Sequence, residues 1–342
     1  MLSRSLLLAL TASAATANVI PRQDATTCTS PVVRKEWREL STAEKTDYLK
    51  AAVCVRNLPK QKYAEVDAVK TRMDDLTYTH LTLNQQIHFV ANFLPWHRWY
   101  VQLHEDMLRD ECGYTGRQPY WDWSIESDTN TMPVSPIWDA ETGFGGNGVL
   151  TGNQTRGFSR CVMDGPFANT TYTLGPGWPN INDVVNEEHC FAREWNGGLG
   201  RDPATGEQII DDMQAAAYST TVMRTIHNFN NYYRMSEMLE GLPHAQVHSI
   251  IHGDMGPATS PNEPLFMLHH ANVDRAWARW QGRNETRLAD YSGFNDRVTL
   301  SIRASIDDEM PVLELADTKP VVRDYMDTMA GPLCYTYSKM TL

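Results

Sequence analysis

Two groups of histidines, far apart along the chain, are the side chains in this sequence with the clearest chemistry. Imidazole nitrogens are good ligands for copper, zinc, nickel and iron. Two sets of three predict two metal ions that each keep open positions, which is typical of a catalytic rather than a structural centre. The residues are His80, His88 and His97 in the first set, and His244, His248 and one of the adjacent pair His269 and His270 in the second.

The first set needs a helix that ends before its last member. Thr82 and Gln85 have the spacing of a capping box, which predicts a helix over 83–94. On this interpretation His88 lies on the helix. His80 lies in the loop that precedes it.

A proline separates this helix from the next one. Pro95 fits only the first turn of a helix, so a second helix should cover 96–112 with His97 in its opening turn. Eight residues of one straight helix span about 12 Å, which is too far for two imidazoles to share an ion. The loop and the break at Pro95 are therefore what would let the three rings converge.

The second set is carried by two helical segments. His244 and His248 are four residues apart and so share one helix face, and His270 and Asp274 have the same spacing. Helices that each direct ligands inward are the usual way in which a bundle builds a metal site in its core.

These segments resemble the two copper-binding motifs of the type-3 dicopper family, which comprises tyrosinases, catechol oxidases and haemocyanins. The resemblance covers about 80–282, and Glu263 stands where the family usually has Asp. The matching residues are His88, Phe93-Leu-Pro-Trp-His97-Arg98 and Glu105 in the first motif, and His244-x-x-x-His248 and Pro264-Leu-Phe266-Met-Leu-His269-His270-x-x-x-Asp274-Arg275 in the second.

The resemblance implies a fold, a cofactor and a reaction. The fold would be mainly α, a four-helix bundle around the metals with long irregular loops and few short strands. The cofactor would be two copper ions per chain, with O2 as co-substrate. The enzyme would oxidise catechols to o-quinones while O2 ends as water, a redox role that zinc could not fill.

The resemblance also decides between neighbouring histidines. The family's ligand lies four residues before the Asp, which selects His270, and a helical neighbour points about 100° away, so His269 should pack elsewhere. His252 lies too far from His244 to complete its set. The other histidines expected to be structural are His104, His189 and His227.

Two carboxylates and one aromatic ring are candidates for the surroundings of the ligands. A ligating imidazole usually donates its second N–H to a carboxylate or a carbonyl, so Glu105 and Asp274 are candidate partners. Each could instead pair with Arg98 or Arg275. Phe266 lies one turn before the expected ligand on its helix and should pack against the ligand rings.

Three positions bear on the substrate. In relatives that hydroxylate monophenols, an Asn follows the first ligand of the second copper, and here that position is Ala245. Glu240 is a candidate catalytic residue that would hold a water, and Ser249 stands where some relatives carry an Arg. The missing Asn favours oxidation of catechols or o-aminophenols. The alternatives are a tyrosinase with monophenol hydroxylase activity and a haemocyanin-like O2 carrier.

The N-terminal segment and the charge indicate a secreted molecule. Residues 1–17 have the charged start, the short apolar run and the small-residue cleavage site of a signal peptide, and 18–27 could be a short propeptide. A single domain should cover 28–342. The net charge of −12 without a basic patch argues against nucleic acid, and the apolar run is too short for a membrane.

Six cysteines and three glycosylation sequons fit the same compartment. An even number of widely spaced cysteines in a secreted chain predicts three disulfides, with their connectivity left open: Cys28, Cys54, Cys112, Cys161, Cys190 and Cys334. The sequons begin at Asn153, Asn169 and Asn284.

The remaining pattern is helical at both ends and irregular in the middle. Further helices are predicted over 43–57, 62–76, 218–240, 243–252 and 264–282, irregular loops over 113–217, and a short strand over 297–303. The chain stops soon after Tyr335 and Tyr337, and the resemblance implies a core-only enzyme with Arg34 packed beside this tyrosine pair.

Overall fold

The computed structural model describes residues 28–155, 158–176, 183–195 and 215–340. The predicted signal peptide 1–17 and propeptide 18–27 lie outside these residues. The described chain is mainly α, as predicted. Its helices are α1 (Thr42–Asn57), α2 (Arg72–Ile87), α3 (Phe93–Asp110), α4 (Ser124–Thr129), α5 (Thr220–His227), α6 (Tyr232–Leu239), α7 (Ala245–Ile251) and α8 (Phe266–Gln281).

The strands of the described chain form three small pairs. The first pair is parallel and joins the two ends of the domain, while the other two are antiparallel hairpins. The pairs are β1 (Val32–Arg34) with β6 (Tyr335–Tyr337), β2 (Val149–Thr155) with β3 (Phe158–Cys161), and β4 (Thr171–Pro176) with β5 (Val184–Cys190). Few short strands were expected, but not these hairpins within 113–217. Both hairpins have irregular register, which removes the alternation that identifies a strand.

The predicted strand over 297–303 is wrong. Only an isolated bridge joins Phe294 to Arg303 there. The Asp296 carboxylate accepts the backbone N–H groups of Thr299 and Ser301, and Leu300 has φ +50°. The side chain thus closes a turn with the N–H groups that a strand would need.

One helix, α2, stands where two helices were predicted before Pro95. The capping box is Thr71 with Asp74, which uses Asp where the sequence pattern asks for Glu or Gln. Tyr63 has φ +53°, which excludes a right-handed helix over 62–71. The pattern at Thr82 lies inside α2 and caps nothing. One helix over 72–87 thus replaces the two predicted over 62–76 and 83–94.

The predicted helix over 218–240 is two helices. α5 ends near Asn228, and the side chain of Asn231 accepts the Arg234 N–H to cap α6. From α6 the chain continues through a π-helical turn, Glu240–His244, directly into α7. Such turns are frequent at functional sites, and this one contains Pro243 and ends on a candidate ligand.

A buried ion-pair hub fastens α3 to α8 and to the strand pair β1–β6. The Asp274 carboxylate accepts from Arg98 and from the hydroxyls of Tyr335 and Tyr337, the last two at 2.5 Å. Arg34 lies with its guanidinium carbon 3.6 Å from the centre of the Tyr335 ring. The predicted packing of Arg34 beside the tyrosine pair is confirmed.

The six cysteines form three disulfides, as predicted. The structure supplies the pairing: Cys28–Cys334, Cys54–Cys112 and Cys161–Cys190. The first ties the two ends of the domain together beside β1 and β6, the second ties α1 to the end of α3, and the third ties β3 to β5. No helix among the described residues is both long enough and apolar enough to cross a bilayer.

We expect Asp274→Asn to lower the free energy of unfolding of the metal-free protein by about 3–5 kcal/mol, because it leaves the buried guanidinium group of Arg98 without its counter-ion. Urea unfolding followed by circular dichroism measures the change. The control is Glu237→Gln, which breaks the exposed pair with Arg234 and should cost less than about 1 kcal/mol. Equal stability of the two variants would contradict the role of the hub.

Candidate metal centre

The structure assembles the histidines into two groups. In each group the nearest ligand nitrogens all lie within 4.8 Å of one another. The first group is His80, His88 and His97, and the second is His244, His248, His269 and His270. All six expected ligands are brought together, and His269, which was expected to pack elsewhere, joins the second group.

The rings of the first group are brought together by a backbone conformation that differs from the prediction. His80 lies inside α2, and His88 is the residue that ends this helix, with φ −125° and ψ 140°. Both placements reverse the prediction. Because the chain turns extended at His88, its ring swings back to 5.0 Å from that of His80, measured between centroids. His97 lies in α3, whose third residue is Pro95, and its ring is 5.6 Å from that of His80.

The two groups face each other directly. The rings of His97 and His270 are stacked, 4.3 Å apart with an interplanar angle of 11°. The rings of His88 and His244 also stack across the gap, at 6.0 Å. The two groups of candidate ligands therefore line one shared volume between α2, α3, α8 and the segment formed by the π-helical turn and α7.

Three candidate ligands are anchored by the carbonyl four residues earlier in the chain. The Nδ1 atoms of His88, His97 and His244 lie 3.1, 2.8 and 3.1 Å from the carbonyl oxygens of Asn84, Phe93 and Glu240, respectively. A carbonyl oxygen only accepts, so Nδ1 must carry the proton. This tautomer leaves the Nε2 lone pair free for a metal.

Two further ligands, one from each group, are anchored by a single segment. The Nδ1 atoms of His80 and His248 each lie 2.7 Å from a carbonyl oxygen, that of Ala258 and that of Met255. This segment follows α7, and its position thus affects both metal sites.

Asp254 holds that segment in place. Its carboxylate lies 2.9 Å from His189 Nε2 and accepts the Ala192 N–H at 2.7 Å, while its own N–H donates to the Ala192 carbonyl. His189 and Ala192 flank Cys190, which the disulfide to Cys161 fixes. Asp254 is a positioning residue that sequence reasoning missed, because its partners are 62 and 65 positions away.

The predicted carboxylate partners of the ligands are wrong. Glu105 accepts from Arg34 and from the Gln118 N–H, and Asp274 binds Arg98, the alternative that the sequence left open. The backbone carbonyls take the role that these carboxylates were expected to play.

The residues expected near the substrate differ in burial and in their contacts with the histidines. Phe266 is fully buried, and its ring lies 4.2 Å from that of His270 and 5.1 Å from that of His80. Ala245 is half-buried at the start of α7, and Ser249 is exposed. The Glu240 side chain accepts the N–H of Phe89, the residue after His88, at 2.7 Å.

Burial keeps the candidate ligands in the neutral form that binds metals. It lowers the pKa of His80 to about 3 and that of His248 to about 4. The pKa values of the other ligands lie well below the ordinary value for the same reason, with neighbouring histidines adding to the effect.

The Nε2 atoms of four anchored ligands are buried without a protein partner: His80, His97, His244 and His248. Orphaned neutral nitrogens pointing into one volume fit metal ions that prefer imidazole.

The other four histidines that were expected not to bind metal lie outside both groups of candidate ligands in the described residues. His104 Nδ1 lies 2.9 Å from the Gln118 side chain, and His227 Nε2 lies 3.0 Å from the Ala276 carbonyl oxygen. His189 pairs with Asp254, and His252 belongs to neither group of candidate ligands in the described residues.

We expect Asp254→Asn to weaken copper binding at both sites by about 10–100-fold, because the segment that anchors His80 and His248 loses its charged holder. Competition with a chelator of known affinity measures the change. The control is Asp139→Asn, since the Asp139 carboxylate also accepts backbone N–H groups but lies in an exposed turn. Unchanged affinity in the Asp254 variant, with the fold intact by circular dichroism, would refute the positioning role.

Comparison with known proteins agrees with this geometry. Residues 70–283 match the common central domain of tyrosinase. The tyrosinase-like protein phomQ1' of Diaporthe leptostromiformis is 38% identical over 320 residues, which cover 91% of this chain and 80% of that protein. Tyrosinase P of Aspergillus terreus is 30% identical over 352 residues, covering 91% of this chain and 93% of the relative.

Solved structures show the same fold. A mutant polyphenol oxidase from Thermothelomyces thermophila superposes with a TM-score of 0.78 at 28% identity, covering 90% of this chain and 89% of that one. A functional unit of octopus haemocyanin shares the fold at a TM-score of 0.54 and 17% identity, covering 91% of this chain and 69% of the other. Both histidine groups lie within the matched residues 70–283. The chain therefore belongs to the tyrosinase family of type-3 copper proteins.

Proposed function

We propose that this protein is a secreted copper oxidase that uses O2 to convert o-diphenols, and also o-aminophenols, into o-quinones and the corresponding quinone imines. The observation that carries the proposal is the pair of facing histidine groups, with His97 and His270 stacked at 4.3 Å across the gap. Copper bound by the two facing groups would supply the redox chemistry that reduction of O2 requires.

The copper ions would be held by Nε2 atoms from both groups. His80, His88 and His97 would bind the first ion, and His244, His248 and His270 the second. Bound copper supplies the one-electron redox chemistry that the protein side chains lack. The protein's own contribution is orientation, since the Nδ1 hydrogen bonds and the packing of Phe266 restrict how the rings can turn.

Glu240 is the candidate proton acceptor among the residues of this chain. Oxidation of a catechol removes two protons, and a carboxylate near the ligands can accept one. Burial raises the pKa of Glu240 well above the ordinary value, which favours the form of the side chain that holds a proton. Its side chain also borders a cavity of about 90 Å³ lined by Phe89, Tyr233 and Phe294.

In this proposal, the relative rates of catechol oxidation and monophenol hydroxylation depend on Ala245. Its methyl group, half-buried one residue after His244, cannot hold the water with which an Asn at this position would assist Glu240. We therefore infer fast oxidation of o-diphenols and slow hydroxylation of monophenols.

Secretion and glycosylation form part of the same proposal. Three disulfides are typical of an oxidising compartment. Asn169 and Asn284 are exposed, as an acceptor of a glycan must be, and the backbone of Asn153 lies in β2.

We expect the copper-loaded protein to turn 4-tert-butylcatechol into its quinone in air, measured by the increase in quinone absorbance. His97→Gln should lower kcat by more than about 100-fold, because it removes a ligand that faces both groups. The matched control His227→Gln changes a buried histidine outside the groups and should retain activity. A protein that binds two copper ions and O2 yet yields no quinone would be a carrier, and the oxidase proposal would fail.

We expect tyramine to be oxidised slowly and after a lag, and we expect Ala245→Asn to raise the initial tyramine rate about tenfold or more with little change for the catechol. The ratio of the two initial rates is the measurement. Thr221→Asn, an exposed position on α5 outside the residues expected near the substrate, serves as the control. Rapid oxidation of tyramine without a lag by the unaltered protein would overturn the assignment of Ala245.

A further inference from the structure

We propose that Phe89, Arg297 and Leu300 form a recognition site for the side chain of the substrate, at the rim of the metal centre. This rim site would select catechols whose side chain is apolar and ends in a carboxylate. The inference rests on the proposed function, because it names the class of o-diphenol that the oxidase would accept.

The metal centre lies closest to solvent on the side of His88 and His248. His88 is 9% exposed and His248 is half-buried, whereas His80 and His97 are almost completely buried. Phe89 follows His88 directly in the chain and is 59% exposed. A substrate ring that reaches the ligands from this side therefore passes Phe89.

Two residues with left-handed backbone meet at one cavity beside the centre. Phe89 has φ +56° and Leu300 has φ +50°, and both side chains line the cavity that Glu240 borders. A bulky residue adopts this backbone only at a cost, and such strain is concentrated at functional sites, where the surrounding structure maintains it. The strain at Phe89 is maintained by its N–H, which donates to the Glu240 carboxylate at 2.7 Å.

The strain at Leu300 is maintained by a closed turn. The Asp296 carboxylate accepts three backbone N–H groups within 299–302, each at 2.7 Å. The turn holds Val298 and Leu300 in place although they are 84% and 49% exposed. Grouped apolar side chains that face water gain free energy when an apolar ligand covers them. The turn thus displays an apolar surface next to the cavity.

Arg297 adds a positive charge to this surface. Its guanidinium carbon lies 5.9 Å from the centre of the Phe89 ring. Within the described parts of the chain, it has no carboxylate at ion-pair distance and no hydrogen-bond partner. Burial is the main cause of the lowered pKa of His88, and the charge of Arg297 adds to it, so this charge acts close to the ligands. A guanidinium group with free N–H donors binds a carboxylate through paired hydrogen bonds.

The carboxylates beside the cavity do not offer an equivalent site for a cation. Glu237 pairs with Arg234 at 2.7 Å, and Glu240 accepts the Phe89 N–H. The free charge at the rim is therefore the positive charge of Arg297. A carboxylate on the substrate complements this charge, whereas an ammonium group is repelled by it.

The test compares two catechols as substrates of the copper-loaded, full-length protein. They are 3-(3,4-dihydroxyphenyl)propanoate and its methyl ester, which has the same shape without the charge. We expect kcat/KM for the acid to exceed that for the ester by about tenfold or more. Arg297→Gln should raise KM for the acid about tenfold, with a much smaller change in kcat and in the KM for the ester.

The matched control is Arg303→Gln. Arg303 is an exposed arginine of the same turn region, and its guanidinium carbon lies 5.6 Å from the centre of the Phe294 ring. Its replacement should preserve the preference for the acid. Equal kcat/KM for acid and ester in the unaltered protein, or equal effects of the two arginine variants, would overturn the inference. So would a preference for dopamine over the acid, because the anchor would then be a carboxylate.

A second variant separates binding from stability. Leu300→Asn places at φ +50° a residue that tolerates this backbone, so Tm should stay the same or rise. The KM for both acid and ester should rise about threefold or more, because apolar contact with the substrate is lost. Leu313→Asn is the control, since Leu313 has φ +49° and is exposed but does not line the cavity. An unchanged KM in the Leu300 variant would contradict its role in the rim site.

Equilibrium dialysis distinguishes failure of this inference from failure of the proposed function. The ligand is 3-phenylpropanoate, which has no hydroxyl group to oxidise. If it binds and Arg297→Gln weakens the binding about tenfold, the rim site is supported even when no catechol yields quinone and the oxidase proposal fails. If quinone forms but the acid is neither bound nor preferred, the oxidase proposal survives and the rim site is refuted.

Discussion

The hydrogen bond from an imidazole Nδ1 to a backbone carbonyl is the interaction on which this metal centre depends. Five of the candidate ligands make it, and in each case the carbonyl decides the tautomer and aims Nε2 at the metal. A carbonyl does not titrate, unlike a carboxylate. The orientation of these rings therefore persists at any pH at which the backbone keeps its fold.

The rest of the architecture can be understood as support for those carbonyls. Three of them belong to the helical turns that precede the ligands, so the helices themselves provide the anchors for His88, His97 and His244. The other two come from the segment after α7, which belongs to no α-helix. Asp254 and the disulfide Cys161–Cys190 provide there the rigidity that a helix provides elsewhere.

Buried ion pairs hold the ligand-bearing helices at their mutual distances. Asp274 connects α3 to α8 through Arg98, and Glu263 binds Arg193 through two hydrogen bonds of 3.0 and 2.8 Å. Glu263, which stands where the family usually has Asp, also accepts the Leu265 N–H before α8 begins. The longer side chain therefore binds the backbone just before α8 while it pairs with a loop residue.

The types and spacings of the residues determined the chemistry of this protein. Histidines four apart on a helix and a proline near a helix start are local patterns. The six histidines selected from these patterns and from the family resemblance are brought together in the structure. The mainly α fold, which the resemblance implied, and the three disulfides, which the cysteine count predicted, are confirmed. Local patterns have this power because neighbours along a helix are also neighbours in space.

Only the tertiary structure decided how the ligands converge and what holds them. Four features depend on contacts between segments that are distant in sequence. They are the extended backbone at His88, the place of His269 in the second group, the pairing of the cysteines, and the use of backbone carbonyls rather than Glu105 and Asp274 as hydrogen-bond partners of the ligands. Those contacts follow from how α2, α3, α7 and α8 pack against one another. The periodicity of residues within a single helix does not indicate where the neighbouring helix will lie.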